Sequence, residues 1–277
     1  MDAPRRSAVA EEGARLPATL RRALATELHR ATQPPYETPI VVVINGLLLL
    51  ACWTLLPAAV VAGLFRFHGP LAFAMVLAVW MYSDVPATNL LGADADRSIA
   101  ALADPAALRR TWYAKNLVLW LLATPACAVA AVLIGVHEKA PLFTVLTVLW
   151  IAVVPLGALG VANWLGIWFP YHPLPLRYRW ARRHRWRPML LRWAVLVLAP
   201  YALVPALALV VSVPSLLLWS SLTRGGGRLS ASQFGWGLLL TAAITAAAWP
   251  LGHRYGLRQA GRRRDRLTAF LADPDRG

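Results

Sequence analysis

Apolar residues in this chain are gathered into six long runs, separated by short polar segments rich in arginine. The runs cover residues 40–65, 71–91, 117–136, 142–169, 189–222 and 234–251. Uncharged stretches of this length are the mark of membrane spans rather than of a soluble core. A hydrocarbon layer ~30 Å thick takes roughly 20 helical residues. Five of the runs therefore fit one span each, and the fifth run, 189–222, is too long for one simple span. The second run is interrupted by Asp84. The pattern predicts an all-α, polytopic membrane protein with six transmembrane helices.

The polar segments give the runs a direction. Of the 28 lysines and arginines, six precede the first run: Arg5, Arg6, Arg15, Arg21, Arg22 and Arg30. Four follow the second run, seven lie between the fourth run and the start of the fifth (Arg192, in the first turn of that run, included), and seven occupy the tail from Arg254 onward. Only Arg66, Lys139, Arg224 and Arg228 fall on the other side. The positive-inside rule places the rich side in the cytoplasm, with both termini there. This division also supports six spans, because miscounting one would scramble it. Trp112, Trp168, Trp193, Trp236 and Trp249 fall near run ends, as interfacial belts require. Trp53, Trp80 and Trp150 fit belts or helix packing equally.

Two polar segments carry helical patterns of their own. Leu16, Leu20, Leu24 and Leu28 recur every four residues, with Arg21, Arg22, Glu27 and Arg30 at other positions. This predicts an amphipathic helix lying in the membrane interface, or else a solvated arm that aids targeting. The connection over residues 89–116 contains Asp104-Pro105, a helix start in which the carboxylate caps free amides and proline suits the first turn. The helix from Pro105 is expected to run on into the third span. A shorter helix, capped by Asp96 and carrying Ile99 and Leu102, is expected before it. Such a hairpin at the base of two spans is either an ordinary capped loop or a docking surface for a soluble partner. The segment 171–192 is basic and rich in Trp and Tyr, which suits anionic lipid headgroups as well as topology.

Composition adds little to this picture but excludes much. The formal charge of +15 invites a nucleic-acid partner, yet the arginines sit in blocks between apolar runs, so no nucleic acid is expected. Cys52 and Cys127 both lie in apolar runs, which argues against a disulfide framework or a metal site. No signal peptide is visible, since the first long apolar run begins only near Ile40. Arginine and alanine dominate, as in a GC-rich bacterial source. The chain divides into a cytoplasmic arm (1–38), a spanning domain (39–256) and a basic cytoplasmic tail (257–277).

Enzyme motifs are missing. No lysine follows glycine, so a Walker A loop is excluded, and there is no His-Glu-x-x-His. The only Glu-Glu pair, Glu11-Glu12, lies outside the runs. The six histidines are scattered, mostly in loops, and no catalytic residue is assigned. Polar residues within the runs are few: Asn45, Asp84, Asn89 and Asn163. They are candidates for a transport pathway or for helix packing. Asp84 is the sharpest of them, because an ionisable group in a membrane is a functional candidate by default; hydration or a partner such as Arg97 would make it structural.

The same connection resembles a pattern found in permeases of the ABC-2 type of ABC exporter. That pattern reads Asn-Leu-Phe-Gly, acidic residues, Leu-Leu-x-x-Pro, a basic pair, then Gly-Lys-Asn-Leu. Here Asn89-Leu90-Leu91-Gly92 is followed by Asp94 and Asp96, by Ala101-Leu102-Ala103-Asp104-Pro105, by Arg109-Arg110 and by Ala114-Lys115-Asn116-Leu117. Leu91 replaces the usual Phe, and Ala114 the usual Gly. Gly160-Val161-Ala162-Asn163-Trp164 with Phe169-Pro170 is similar to the end of the family's fourth span.

The resemblance implies a coupling helix docking on a separate ATP-binding subunit, with Asp94, Asp96, Ile99, Leu102, Asp104, Pro105, Arg109 and Arg110 in the coupling region. It implies a dimer with a second permease copy or paralogue in a bacterial cytoplasmic membrane. No cofactor is expected in this chain, ATP and Mg being held by the partner subunit. It also implies a short re-entrant piece between spans five and six, with Pro214 ending span five and residues 215–222 forming the piece. Few charges in the spans suit a hydrophobic or amphipathic cargo, although helix-packing surfaces look the same. The rival readings are a membrane enzyme acting on lipid and a sensor or structural membrane protein.

Overall fold

The computed structural model describes residues 16–33, 36, 39–40, 42–44, 46–47, 51, 55, 57, 75, 78–82, 89–172, 186–224 and 230–273. Most of the first two apolar runs, including Asn45 and Asp84, lies outside them, as does most of the basic segment 171–192. All regular structure among the described residues is helical.

Among the described residues, the helices seen from end to end are, in chain order, α1 (Leu20–Ala31), α2 (Ala95–Ala103), α3 (Pro105–His137), α4 (Pro141–Trp168), α5 (Trp186–Val211), α6 (Val213–Arg224), α7 (Ala231–Arg262) and α8 (Arg264–Leu271). A short 3-10 turn, Gly92–Asp94, precedes α2. Helices α3, α4 and α7 are each long and apolar enough to cross a membrane. The pair α5–α6 adds a fourth span if it is counted as one. These are the helices of a membrane-spanning protein, and their exposed faces carry Leu121, Leu133, Val136, Leu149 and Leu240.

Local chemistry explains the boundaries. Asp104 accepts a hydrogen bond from Ala106 N at 2.8 Å and Pro105 opens α3, which then runs unbroken into the third apolar run. Helix α3 ends with Ala140 N donating to Gly135 O (3.1 Å) and Lys139 N to Val136 O (3.3 Å), while Lys139 takes a left-handed φ of 53°. This is a Schellman closure with lysine where glycine is usual. Ser230 and Gln233 form a capping box at the start of α7.

The long fifth run resolves into two helices bent by 68°. The break falls at Ser212, and Pro214 sits in the first turn of α6 rather than ending α5. Ser215 Oγ, buried, lies 2.9 Å from Thr241 Oγ1 and ties α6 to α7.

Helices α4 and α7 approach most closely. A Cβ on Gly160 would lie 2.7 Å from Trp249 Cα, and one on Gly252 would lie 2.5 Å from Gly160 O. Small residues that admit a neighbouring backbone are the usual device for packing spans. The main apolar core joins α3, α4 and α5 through Leu119, Ala123, Ile151, Val154, Leu159 and Val204. A second core gathers α2, the start of α3 and α8.

Tryptophan placement departs from the belt expectation at two positions. Trp112 is 1% exposed within the second core, and Trp249 packs on Gly160 and on the ring of His253. Trp168 and Trp236 are exposed, as a belt requires. Trp150 is buried and Trp80 meets Tyr201 ring to ring.

Candidate functional site: the polar base of the bundle

One end of the bundle is closed by three short helices, α1, α2 and α8, and by a set of ion pairs. Asp94 stands at the N-cap position of α2, but its carboxylate makes no cap bond. It is turned instead toward three cations. Arg30 of α1 pairs with it directly, Lys115 Nζ lies 3.7 Å away and Arg97 Nη1 lies 3.8 Å away. Asp96, expected to cap α2, is exposed in its first turn. Burial pushes the Asp94 carboxyl up, but Lys115, Arg30 and Arg97 together outweigh this and hold it below the usual carboxylate range.

Arg97, one partner considered for Asp84, pairs with Glu27 of α1 at 2.5 Å. Both residues are buried. Lys115 Nζ also donates to Leu90 O at 2.6 Å. Two helices distant in sequence are thus fastened through charges that water scarcely reaches, a setting in which a lone charge is costly.

The amphipathic α1 is correspondingly two-sided. Ala23 and Glu27 face the protein, while Leu20 and Leu28 stay exposed on an adjacent arc, where a lipid interface would cover them.

The remaining bonds join the segment before α2 to the segment after α4, and that segment to α8. Asn89 Nδ2 donates to Tyr171 O at 2.8 Å, and Tyr171 N donates to Asn89 Oδ1 at 3.2 Å. The side chain pairs with backbone as a strand would. Gly92 abuts Tyr171 O so closely that no Cβ fits there. His172 Nε2 donates to Phe270 O at 3.0 Å and its ring stacks on Phe270. Leu267, Phe270 and Leu271 of α8 are buried in the cluster that contains Leu90, Leu91 and Leu102.

The coupling candidates therefore divide. Leu102 is 5% exposed, and Ile99 packs against the same cluster, so the apolar face of α2 is already covered within the chain. Arg110 Nε donates to Pro17 O at 2.9 Å and lies near Asp104. Asp94 is consumed in ion pairs. Asp96, Asp104, Pro105 and Arg109 are exposed. Those four form the outward surface of the α2–α3 hairpin.

A second polar cluster lies deeper. His253 of α7 is fully buried, with Asn116 Nδ2 3.1 Å from its Nε2 and Asn163 Nδ2 3.3 Å from its Nδ1. Tyr113 stacks on the imidazole at a centroid distance of 4.2 Å. A neutral imidazole offers one donor and one acceptor, so one carboxamide must turn its oxygen to the ring. Asn163 of α4 thus meets His253 of α7 and, through it, Asn116 of α3. Sequence reasoning missed His253, which stands just past the sixth run. Asn116 was quoted only as part of a motif. Among the described residues no group of three or more His, Cys, Asp or Glu is placed to hold a metal ion.

Comparison with protein-family models, with curated proteins and with solved structures finds no match for this chain.

Proposed function

We propose that this chain is the six-span permease subunit of an ABC-2-type exporter, working as a dimer in a bacterial cytoplasmic membrane with both termini inside. A separate ATP-binding subunit docks on the α2–α3 hairpin. The observation that carries this reading is the hairpin itself. It is a short helix and a capped helix start at the base of the bundle, with Asp96, Asp104, Pro105 and Arg109 exposed. Its inner side is held by Glu27–Arg97 and by the cations around Asp94.

A hairpin clamped in this way transmits force rather than yielding to it. Movement of a docked ATPase would be passed to α3, which is continuous from Pro105 to His137. Helix α5 is the fifth span and α6, bent away from it by 68°, is the short re-entrant piece; the cargo is hydrophobic or amphipathic. The binding of ATP and Mg belongs to the partner.

Affinity purification of the tagged full-length chain from its own membranes tests the reading. An ATP-binding cassette subunit should co-purify, and Asp96→Asn with Arg109→Glu, both at exposed positions that make no cap bond, should release it while the thermal midpoint of the chain stays close to that of the wild type. Absence of any such subunit would remove the proposal.

A further inference from the structure

The outer face of α7 changes character along its length. Trp236, Leu240, Ile244 and Leu251 are exposed, at 64%, 53%, 38% and 59%. At 100° per residue all four fall on one side of the helix. The same side continues into Arg254, Tyr255, Arg258 and Arg262, all exposed. The three arginines recur every four residues, each step rising ~6 Å along the axis. No Asp or Glu occurs in Ala231–Arg262.

The opposite side of these turns is fixed. Gly252, His253, Gly256 and Ala260 are buried against α3 and α4, so the arginines cannot rotate inward. Aromatic rings from α4 border the strip. Trp164 meets Tyr255 at 4.5 Å, and the Arg263 guanidinium sits 3.3 Å above the exposed Trp168 ring.

We propose that Arg254, Arg258 and Arg262 bind the headgroups of anionic phospholipids in the leaflet at this end of the bundle. Acyl chains cover the apolar face as far as Leu251. Arg254 follows one turn later, at the depth where the phosphates lie, and a guanidinium fork matches phosphate oxygens in pairs. An acidic protein would satisfy the charge, but it has no need of the apolar face that runs directly into it. Lipid satisfies both. The inference requires only that α7 spans the membrane and is independent of any ATPase partner.

Native mass spectrometry of the purified full-length chain tests it, with phosphatidylglycerol and phosphatidylcholine as probes. The wild type should retain phosphatidylglycerol in preference to phosphatidylcholine. R254Q/R258Q/R262Q should bind phosphatidylglycerol about a hundredfold more weakly, the matching triple lysine variant should keep most of the binding, and R224Q, at the far end of α6, should leave it unchanged. If the triple glutamine variant does not fold, the three single variants should each show a partial loss. Equal retention of the two lipids by the wild type, or undiminished phosphatidylglycerol binding by the glutamine variants, would overturn the proposal.

Discussion

Arg97 on α2 and Glu27 on α1 form an ion pair at 2.5 Å, with side-chain exposures of only 4% and 9%. Removing Arg97 leaves the Glu27 charge buried and uncompensated, which typically costs about 3–5 kcal/mol, whereas removing Glu27 leaves Arg97 the more distant Asp94 at 3.8 Å. Arg97→Met should lower stability by about that amount, and Glu27→Gln by less. The double variant Glu27→Met/Arg97→Met should recover much of the loss. Thermal unfolding in detergent, read as a double-mutant cycle, measures the coupling; additive losses would show that the pair does not act as a unit.

Asp94 provides a pH signature for the same base. Its carboxyl is held below the ordinary carboxylate range by Lys115, Arg30 and Arg97, against the opposing effect of burial. A depressed folded-state value means that the ionised form favours folding. That contribution is fully present above the unfolded value near ~3.9 and is lost as pH falls through the folded value. Asp94→Asn should therefore be less stable than wild type at neutral pH, and the gap should narrow below about pH 4. Thermal midpoints measured from neutral to acid pH would reveal it.

The buried Asn116–His253–Asn163 cluster predicts coupling among three helices. His253→Leu should strand two carboxamides and cost about 1–3 kcal/mol. Replacing His253 and Asn163 together should cost less than the sum, by a coupling of about 0.6–1.7 kcal/mol in a membrane setting. Denaturant unfolding of the single and double variants checks this, and strict additivity would contradict a direct bond.

Lys139 adopts a φ of 53° at the close of α3, a conformation that glycine takes without strain. Lys139→Gly should stabilise the chain by about 1 kcal/mol. Gly135→Ala should do the reverse, because a Cβ there would collide with Thr144. A comparison of thermal midpoints decides both.

Much of this architecture is legible in the chain itself. The start of α3 at Asp104-Pro105, its continuation into a span and the break in the fifth run follow from capping chemistry and span length. What sequence could not supply is which side of each short helix faces the protein. Asp96 and Asp94 are two residues apart, and only the convergence of Arg30, Arg97 and Lys115 draws Asp94 inward and leaves Asp96 free. Leu102 lies in the segment expected to couple, and nothing local announces that it is buried in one cluster with α8, more than a hundred residues later. Trp112 lay at a run end, yet it packs inward because Gly256 of α7 leaves room beside it. His253 joins Asn116 and Asn163 only through the pairing of α3, α4 and α7, a relation without local sequence period.

The docking of an ATPase on the α2–α3 hairpin is tested most directly by site-directed crosslinking in native membranes. In a chain lacking Cys52 and Cys127, single cysteines at Asp96, Arg109 and Val136 would be treated with a short bifunctional reagent. Asp96 and Arg109 are exposed on the hairpin, while Val136 is 72% exposed at the opposite end of α3. The account predicts a crosslink to an ATP-binding cassette subunit from positions 96 and 109 and none from 136. Failure of both hairpin positions to capture such a subunit, or equal capture from position 136, would contradict it.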